Sequence, residues 1–147
     1  MGTTKPMNRQ EALVRLVRDV QSDIEDYGVL RLALASQFES ALLHDSQRLA
    51  ELAEQINALV DALDERRLTR VAITRALSGQ EQPRNLASVL DQLAPAARDM
   101  LDDLWQQLEG LVRECKQLNV RNCEFIVEQN ALMQRVLHGE EATYAER

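Results

Sequence analysis

The residues that most suggest catalysis are His44, Asp45 and Ser46, which are adjacent and supply the three side-chain types of a serine hydrolase triad. In such a triad the serine attacks a carbonyl carbon and the histidine accepts its proton. Consecutive residues of a helix point about 100° apart, so these side chains cannot converge on one substrate atom. We therefore interpret them as solvent-facing and predict no hydrolase activity.

The sequence also shows no local pattern for binding a metal or a cofactor. The two histidines, His44 and His138, lack a glutamate three residues before them and a second histidine at helical spacing, so they do not form a local metal site. The glycines occur singly and form no phosphate-binding loop: Gly2, Gly28, Gly79, Gly110 and Gly139. We predict no metal, no cofactor and no enzyme, and we expect the function to be binding.

The two cysteines and the overall composition indicate where the protein works. Cys115 and Cys123 are eight residues apart on one predicted helix, which corresponds to about 12 Å along its axis. This distance is too long for a disulfide bond between them. We therefore predict buried or semi-buried free thiols in a reducing compartment. Met1–Arg9 lacks the apolar segment of a secretory signal, and no run of about 18 apolar residues exists. We expect a cytoplasmic protein without stable membrane insertion.

The net charge indicates which partners the protein can bind, and the side-chain types indicate which residues fill its core. The net charge of -7 disfavours binding of nucleic acid, because phosphate backbones would be repelled. Of 147 residues 45% are apolar, yet only two Phe, two Tyr and one Trp are aromatic. Leu, Ala, Val and Ile must fill the core, which suits close-packed helices.

Hydrophobic periodicity predicts two helices in the first half of the chain, after a disordered lead at 1–7. The first, over 8–27, is capped by Asn8 with Glu11 in a capping box, and Gly28 is its expected stop or kink. A continuous helix through Gly28 remains an alternative, since one glycine costs about 1 kcal/mol relative to alanine. The second helix spans 29–78 without Gly or Pro and would be about 75 Å long if unbroken.

The second half of the chain begins with a polar loop and ends with a third long helix. Pro83 lies in the loop, and Asn85 can cap a short helix before Pro95. The final helix is predicted over 95–138, with Gly139 as its C-cap and 139–147 as a flexible tail. Together these elements form a single domain.

The predicted fold is all-α: an elongated antiparallel helical hairpin or bundle of three main helices with coiled-coil character. Charges at the end of the second helix and the start of the last agree with an antiparallel hairpin of these two, although solvated helix ends also explain them. The residues concerned are Arg66, Arg67, Arg70 and Arg75, and Asp99, Asp102 and Asp103.

A heptad seam along the final helix changes character part-way. Its core-type positions are first Leu101, Leu104, Leu108, Leu111, Cys115 and Leu118, and then Asn122, Phe125, Gln129, Leu132 and Val136. The later positions either complete a three-helix core or form a surface for a partner helix. Unpaired polar groups are costly in a core, and Met133 suits an adaptable groove, so we favour the partner surface.

The sequence resembles the FlgN-type flagellar export chaperones over about residues 10 to 145. The distinctive part is 114–147, with Leu118, the pair Asn119 and Asn122, and the terminal Thr143-Tyr144. The middle of the chain also follows the family pattern at Leu42, Leu43, Asp45, Leu49, Leu52, Ile56, Leu59, Leu63 and Arg67. It departs from the family in Cys115, Cys123 and the separate segment 83–95.

The resemblance implies a small cytoplasmic helical protein that binds the C-terminal helical segments of the hook-filament junction proteins FlgK and FlgL. It would deliver them to the gate of the type III export apparatus. Carried over by position, the cargo surface comprises Asn119, Asn122, Phe125, Ile126, Gln129, Leu132, Met133 and Val136, and Tyr144 would dock to the export gate. The alternative is a structural coiled-coil adaptor that self-associates through the same helix and has no export role.

Overall fold

A computed structural model describes residues 9–78 and 94–145, which form three helices: α1 (Arg9–Leu42), α2 (Ser46–Ser78) and α3 (Pro95–Ala145). The described residues contain no strand, and the predicted all-α fold class is confirmed. The predicted lead at 1–7, the Pro83 loop and the short helix capped by Asn85 lie outside the described residues.

Helix α1 continues through Gly28, so the predicted stop at this glycine is wrong and the alternative of a continuous helix is confirmed. A Cβ atom at position 28 would have no neighbouring atom within 4 Å, so no close approach of another helix requires a glycine here. Packing on both sides of α1 stabilises the helix, with Leu16, Val20 and Leu34 almost fully buried. This burial outweighs the cost of about 1 kcal/mol for a single glycine.

The break falls instead at residues 43–45, so the predicted continuous helix over 29–78 is wrong. His44 has a left-handed backbone with φ of 55°, and the amide of Asp45 donates to the carbonyl oxygen of Ser40 at 2.9 Å, as in a Schellman motif. The side chain of Asp45 then accepts from the amide of Arg48 at 3.0 Å and caps α2. His44 and Asp45 therefore form a helix-reversing turn, and their exposed side chains agree with the predicted solvent-facing role.

Helix α3 is 51 residues long, which corresponds to about 77 Å. It passes through Gly139, so the predicted C-cap at this glycine and the loose tail from residue 139 are wrong. Among the described residues, no helix is both long and apolar enough to cross a membrane.

The central element of the fold is α1, which packs against both other helices. Helix α2 folds back along α1 after the turn at residues 43–45, and its Arg66 and Arg70 reach Asp23 of α1. Helix α3 runs parallel to α1, because its hydrogen bonds to α1 keep a constant separation of 88 residues. In the described ranges the backbones of α2 and α3 do not contact each other. The charges were expected to support an antiparallel hairpin of the second and last helices, but Arg66 and Arg70 of α2 bind carboxylates of α1 instead. The antiparallel hairpin is therefore formed by α1 and α2.

Arginines of α2 bind carboxylates of α1. Asp23 is only 1% exposed and accepts from the Nε of Arg66 at 2.7 Å and from Arg70, while Arg66 also binds Asp26. Burial alone would lower the pKa of Arg66, but its hydrogen bonds to Asp26 and Asp23 raise the pKa overall. Because a buried carboxylate without partners would be costly, this cluster fixes α2 on α1.

The apolar core consists of two clusters along α1. The first joins α1 and α3 through Leu16, Val20, Leu101 and Leu108, and the second joins all three helices through Leu30, Leu34, Leu63 and Cys115. Tyr27 packs against both clusters and connects them.

Candidate partner-binding surface

Polar side chains of α3 bind backbone carbonyl oxygens of α1 at intervals of one heptad. The three donors are separated from their acceptors by the same 88 residues, so α1 and α3 share one parallel register. The bonds are Cys115 Sγ to Tyr27 O at 3.5 Å, Asn122 Nδ2 to Leu34 O at 2.7 Å, and Gln129 Nε2 to Ala41 O at 3.3 Å.

Asn122 is the most deeply buried polar residue of this interface, at 1% exposure. Its amide also donates to Gln37 Oε1 at 2.8 Å, and its carbonyl oxygen accepts from the guanidinium of Arg121. The sequence placed Asn122 on the free surface for a partner, and the structure corrects this. The hydrogen bonds that an incoming helix was expected to provide come from the chain's own α1.

The two cysteines differ in environment. Both are free, as predicted, but Cys115 is buried while Cys123 is exposed, so the expectation of a buried or semi-buried thiol is wrong for Cys123. Burial raises the pKa of the Cys115 thiol, the nearby Glu114 carboxylate adds to this effect, and Arg31 partly offsets it. Cys115 is thus a neutral core residue of the α1–α3 interface.

Phe125, Ile126 and Gln129 are half-buried and lie where this interface ends. The ring of Phe125 meets the ring of Phe38 edge-on, with 5.2 Å between centroids. The guanidinium of Arg121 lies 3.9 Å from the centroid of the same Phe38 ring. These three predicted site residues therefore contribute to the protein's own packing while keeping part of their surface accessible.

Beyond this boundary, α3 has no partner helix among the described residues. The constant separation of 88 places Leu42, the last residue of α1, opposite Asn130. Every residue from 130 to 142 is exposed. We call residues 131–142 the projecting end of α3; the helical part beyond Asn130 is about 22 Å long at 1.5 Å per residue.

The projecting end continues the apolar face that is buried upstream. Leu132, Met133, Val136 and Leu137 are 50–56% exposed, although they follow Asn122 and Gln129 at helical spacing. Around them, Arg135, His138, Glu140 and Glu141 supply polar sides, giving an amphipathic helix with an uncovered face.

The predicted surface is therefore divided by the structure rather than assembled into one patch. Leu132, Met133 and Val136 are together and exposed, while Asn119 is exposed upstream. Tyr144 lies within α3, but its side chain is outside the described residues.

Sequence reasoning named Leu42 and Leu43 only as part of the family pattern and did not assign them to a surface; they are the last residue of α1 and the first residue of the turn. Leu42 and Leu43 are 51% and 71% exposed and directly follow Ala41, whose carbonyl oxygen binds Gln129. The available signal was the adjacent apolar pair immediately before His44 and Asp45. These leucines are exposed apolar side chains where α1 ends, opposite the start of the projecting end.

Within residues 9–78 and 94–145, no group of three or more His, Cys, Asp or Glu side chains is placed to hold a metal ion. The seam of α3 is buried or half-buried from Leu101 to Gln129 and exposed only at its last two positions, Leu132 and Val136. The fold is thus that of an all-α protein whose last helix ends in an uncovered apolar face.

The model of the FlgN family, described as FlgN protein, matches residues 11–139. The chain belongs to the FlgN family and is a flagellar export chaperone, which confirms the resemblance found in the sequence. The match includes α1 from Glu11 onward, α2, and α3 as far as Gly139, and it stops before Tyr144. Searches among curated proteins and solved structures gave no significant match.

Proposed function

We propose that this chaperone works in the cytoplasm, where it binds the C-terminal helical segments of FlgK and FlgL and delivers them to the export gate. The observation that supports the proposal is the apolar seam of α3, which continues past the end of α1 as an exposed face. A cargo helix laid on the projecting end would replace α1 as the partner of this seam.

The expected affinity follows from the side chains that remain to be covered. Leu132, Met133, Val136 and Leu137 are each about half exposed, so burying the rest contributes about 1 kcal/mol per side chain. The cost of ordering the cargo segment offsets part of this gain. Affinity is therefore moderate, which suits a chaperone that must release its cargo at the gate.

The predicted site residues take different roles in this proposal. Leu132, Met133 and Val136 contact cargo, and the flexible thioether of Met133 lets the same surface accept both FlgK and FlgL. Phe125, Ile126 and Gln129 form the root of the surface, where cargo meets the end of α1. Asn122 contributes only by holding α3 in register with α1.

Co-purification of C-terminal FlgK and FlgL fragments with two matched double variants tests the cargo surface. Leu132→Ser with Val136→Ser alters the uncovered seam, whereas Val120→Ser with Val127→Ser alters residues of 49% and 65% exposure on another side of α3. We expect the first variant to lose fragment capture and the second to retain it. Both should keep wild-type helicity by circular dichroism.

Equal capture by the two variants would contradict the proposal. Light scattering of the free protein distinguishes the adaptor alternative. A stable dimer at micromolar concentration that Leu132→Ser with Val136→Ser dissociates, together with no fragment binding, would assign the projecting end to self-association instead.

The role of Tyr144 at the export gate needs a separate measurement. Tyr144→Ala should leave fragment binding in vitro unchanged while reducing secretion of FlgK and FlgL from cells. A variant that secretes both proteins normally would remove Tyr144 from the proposal without affecting the cargo surface.

A further inference from the structure

A second surface lies upstream of the projecting end, in the groove between α2 and α3. These helices flank α1 without backbone contact in the described ranges, and they leave an open groove of about 520 Å³. Tyr27 of α1 and the buried Leu108 lie at its base, and Trp105 and Val112 of α3 provide an apolar wall. The guanidinium of Arg70 lies 5.5 Å from the centroid of the Trp105 ring. The groove is large enough for a few apolar side chains of a partner.

Basic side chains line this groove although the protein as a whole has a net charge of -7. Arg67 and Arg70 come from α2, Arg113 and Lys116 come from α3, and the only carboxylate of the lining is Glu109. The two arginines of α2 already have carboxylate partners on α1 and α2. Arg113 and Lys116 form no ion pair with any described residue.

We infer that this groove binds an acidic amphipathic helix of a protein partner. A helix seated between α2 and α3 would occupy the position of the fourth helix of a bundle, with its apolar side chains beside Trp105 and Val112. Its carboxylates would pair with Arg113 and Lys116, which are exposed at the edge of the groove. The apolar wall and the acidic remainder of the protein disfavour a nucleic acid in the same place.

The inference goes beyond the proposed binding of FlgK and FlgL, because the two surfaces are separate. Arg113 and Met133 are about 30 Å apart along α3. A chaperone with both surfaces could hold cargo on its projecting end while an acidic helix of another protein occupies the groove. Each surface can be altered without the other.

The single tryptophan of the chain provides a direct probe, since Trp105 lines the groove. The ligand is a synthetic tryptophan-free helical peptide with leucines at i, i+4, i+7 and i+11 and glutamates on both flanks; its control carries lysines instead. We expect the glutamate peptide to shift Trp105 emission to shorter wavelength, with a Kd that rises as salt is added. The lysine peptide should produce no shift.

Matched charge reversals test the residues. Arg113→Glu with Lys116→Glu should weaken binding of the glutamate peptide by about tenfold or more. Arg18→Glu with Arg48→Glu, at exposed positions that do not line the groove, changes the net charge equally and should have little effect. Leu132→Ser with Val136→Ser should bind the peptide like the wild type, which separates this test from that of the cargo surface.

Three results would overturn the inference: equal binding of both peptides, equal affinities of the two charge-reversal variants, or no spectral shift with the glutamate peptide. A concentration-dependent dimer that only Arg113→Glu with Lys116→Glu dissociates would make a second copy of this chain the occupant, and it would also overturn the acidic partner.

Discussion

The upstream and downstream parts of α3 carry the same heptad seam but differ in what covers it. Leu101, Leu108 and Cys115 are at most 4% exposed because α1 runs beside them, whereas Leu132 and Val136 are more than half exposed. The change from apolar to polar seam positions does not mark the boundary, because Asn122 is itself covered by α1. The difference shows that the end of a neighbouring helix can turn core-type positions into a binding surface.

The polar residues of the seam are packed within the protein, whereas their polarity suggested a surface exposed to a partner. Asn122 is buried and satisfied within the chain, and Gln129 binds a carbonyl oxygen of α1 from a half-buried position. A single buried asparagine in a helical interface favours one register over others, because every alternative register leaves its amide unpaired. These residues therefore stabilise the covered part of the seam, and the open part begins after them.

The largest expected contrast is between two leucines of the same seam. Leu108→Ala should lower the free energy of unfolding by about 3 kcal/mol, because it leaves a cavity between α1 and α3. Leu132→Ala should change it by less than about 0.5 kcal/mol. Urea denaturation followed by circular dichroism measures both, and a similar loss for the two variants would mean that the projecting end is covered in solution.

The asparagine pair provides the next contrast. Asn122→Ala should cost about 2 kcal/mol of unfolding free energy, since it removes the bonds to Leu34 and Gln37 and leaves a buried gap. The neighbouring Asn119→Ala is the control, and its exposed side chain predicts a change within about 0.5 kcal/mol. Equal effects in thermal denaturation would argue against the observed register.

A smaller effect is expected where the two parts of α3 meet. Phe125→Ala should cost about 1.5 kcal/mol, roughly half the value for a fully buried phenylalanine, because it removes the edge-on contact with Phe38. Met133→Ala should leave stability nearly unchanged and weaken cargo binding instead. Calorimetric unfolding and titration with a FlgK fragment separate the two roles. Equal stability of the variants would place Phe125 wholly on the cargo surface.

The smallest effect on stability is expected for the largest deletion. A chain ending at Asn130 loses the projecting end, yet its free energy of unfolding should fall by less than about 0.5 kcal/mol, because residues 131–142 are exposed. The same truncation should abolish capture of FlgK and FlgL fragments. A stability loss of more than about 2 kcal/mol would show that the projecting end packs against the rest of the protein.

Much of the fold could be read from local pattern, but the positions of breaks could not. The heptad spacing from Leu101 to Leu118 predicts a long packed helix, and α3 contains it. The prediction of a break at Gly28 was wrong because a glycine destabilises a helix by only about 1 kcal/mol. The burial of α1 against two other helices stabilises it by more than that. The turn at His44 and Asp45 was missed because neither glycine nor proline marks it; its signal was an aspartate able to cap α2.

The candidate site was predictable in type and only partly in position. Apolar spacing identifies Leu132, Met133 and Val136, which are exposed together. It does not show that Asn122 on the same face is buried, because position on a helix face does not record which residues a neighbouring helix covers. The groove beside Trp105 was not foreseen, since its lining combines residues from three helices that are distant in sequence.

By itself the sequence determined that the chain is helical, that its last helix has one apolar seam, and that it resembles FlgN chaperones, because these properties depend on local spacing and residue type. Only the tertiary structure decided which part of the seam is covered. That depends on the register between α1 and α3 and on the turn at residues 43–45 that ends α1 opposite Asn130. Exposure is set by where the neighbouring helix stops, and no local pattern in α3 records that position.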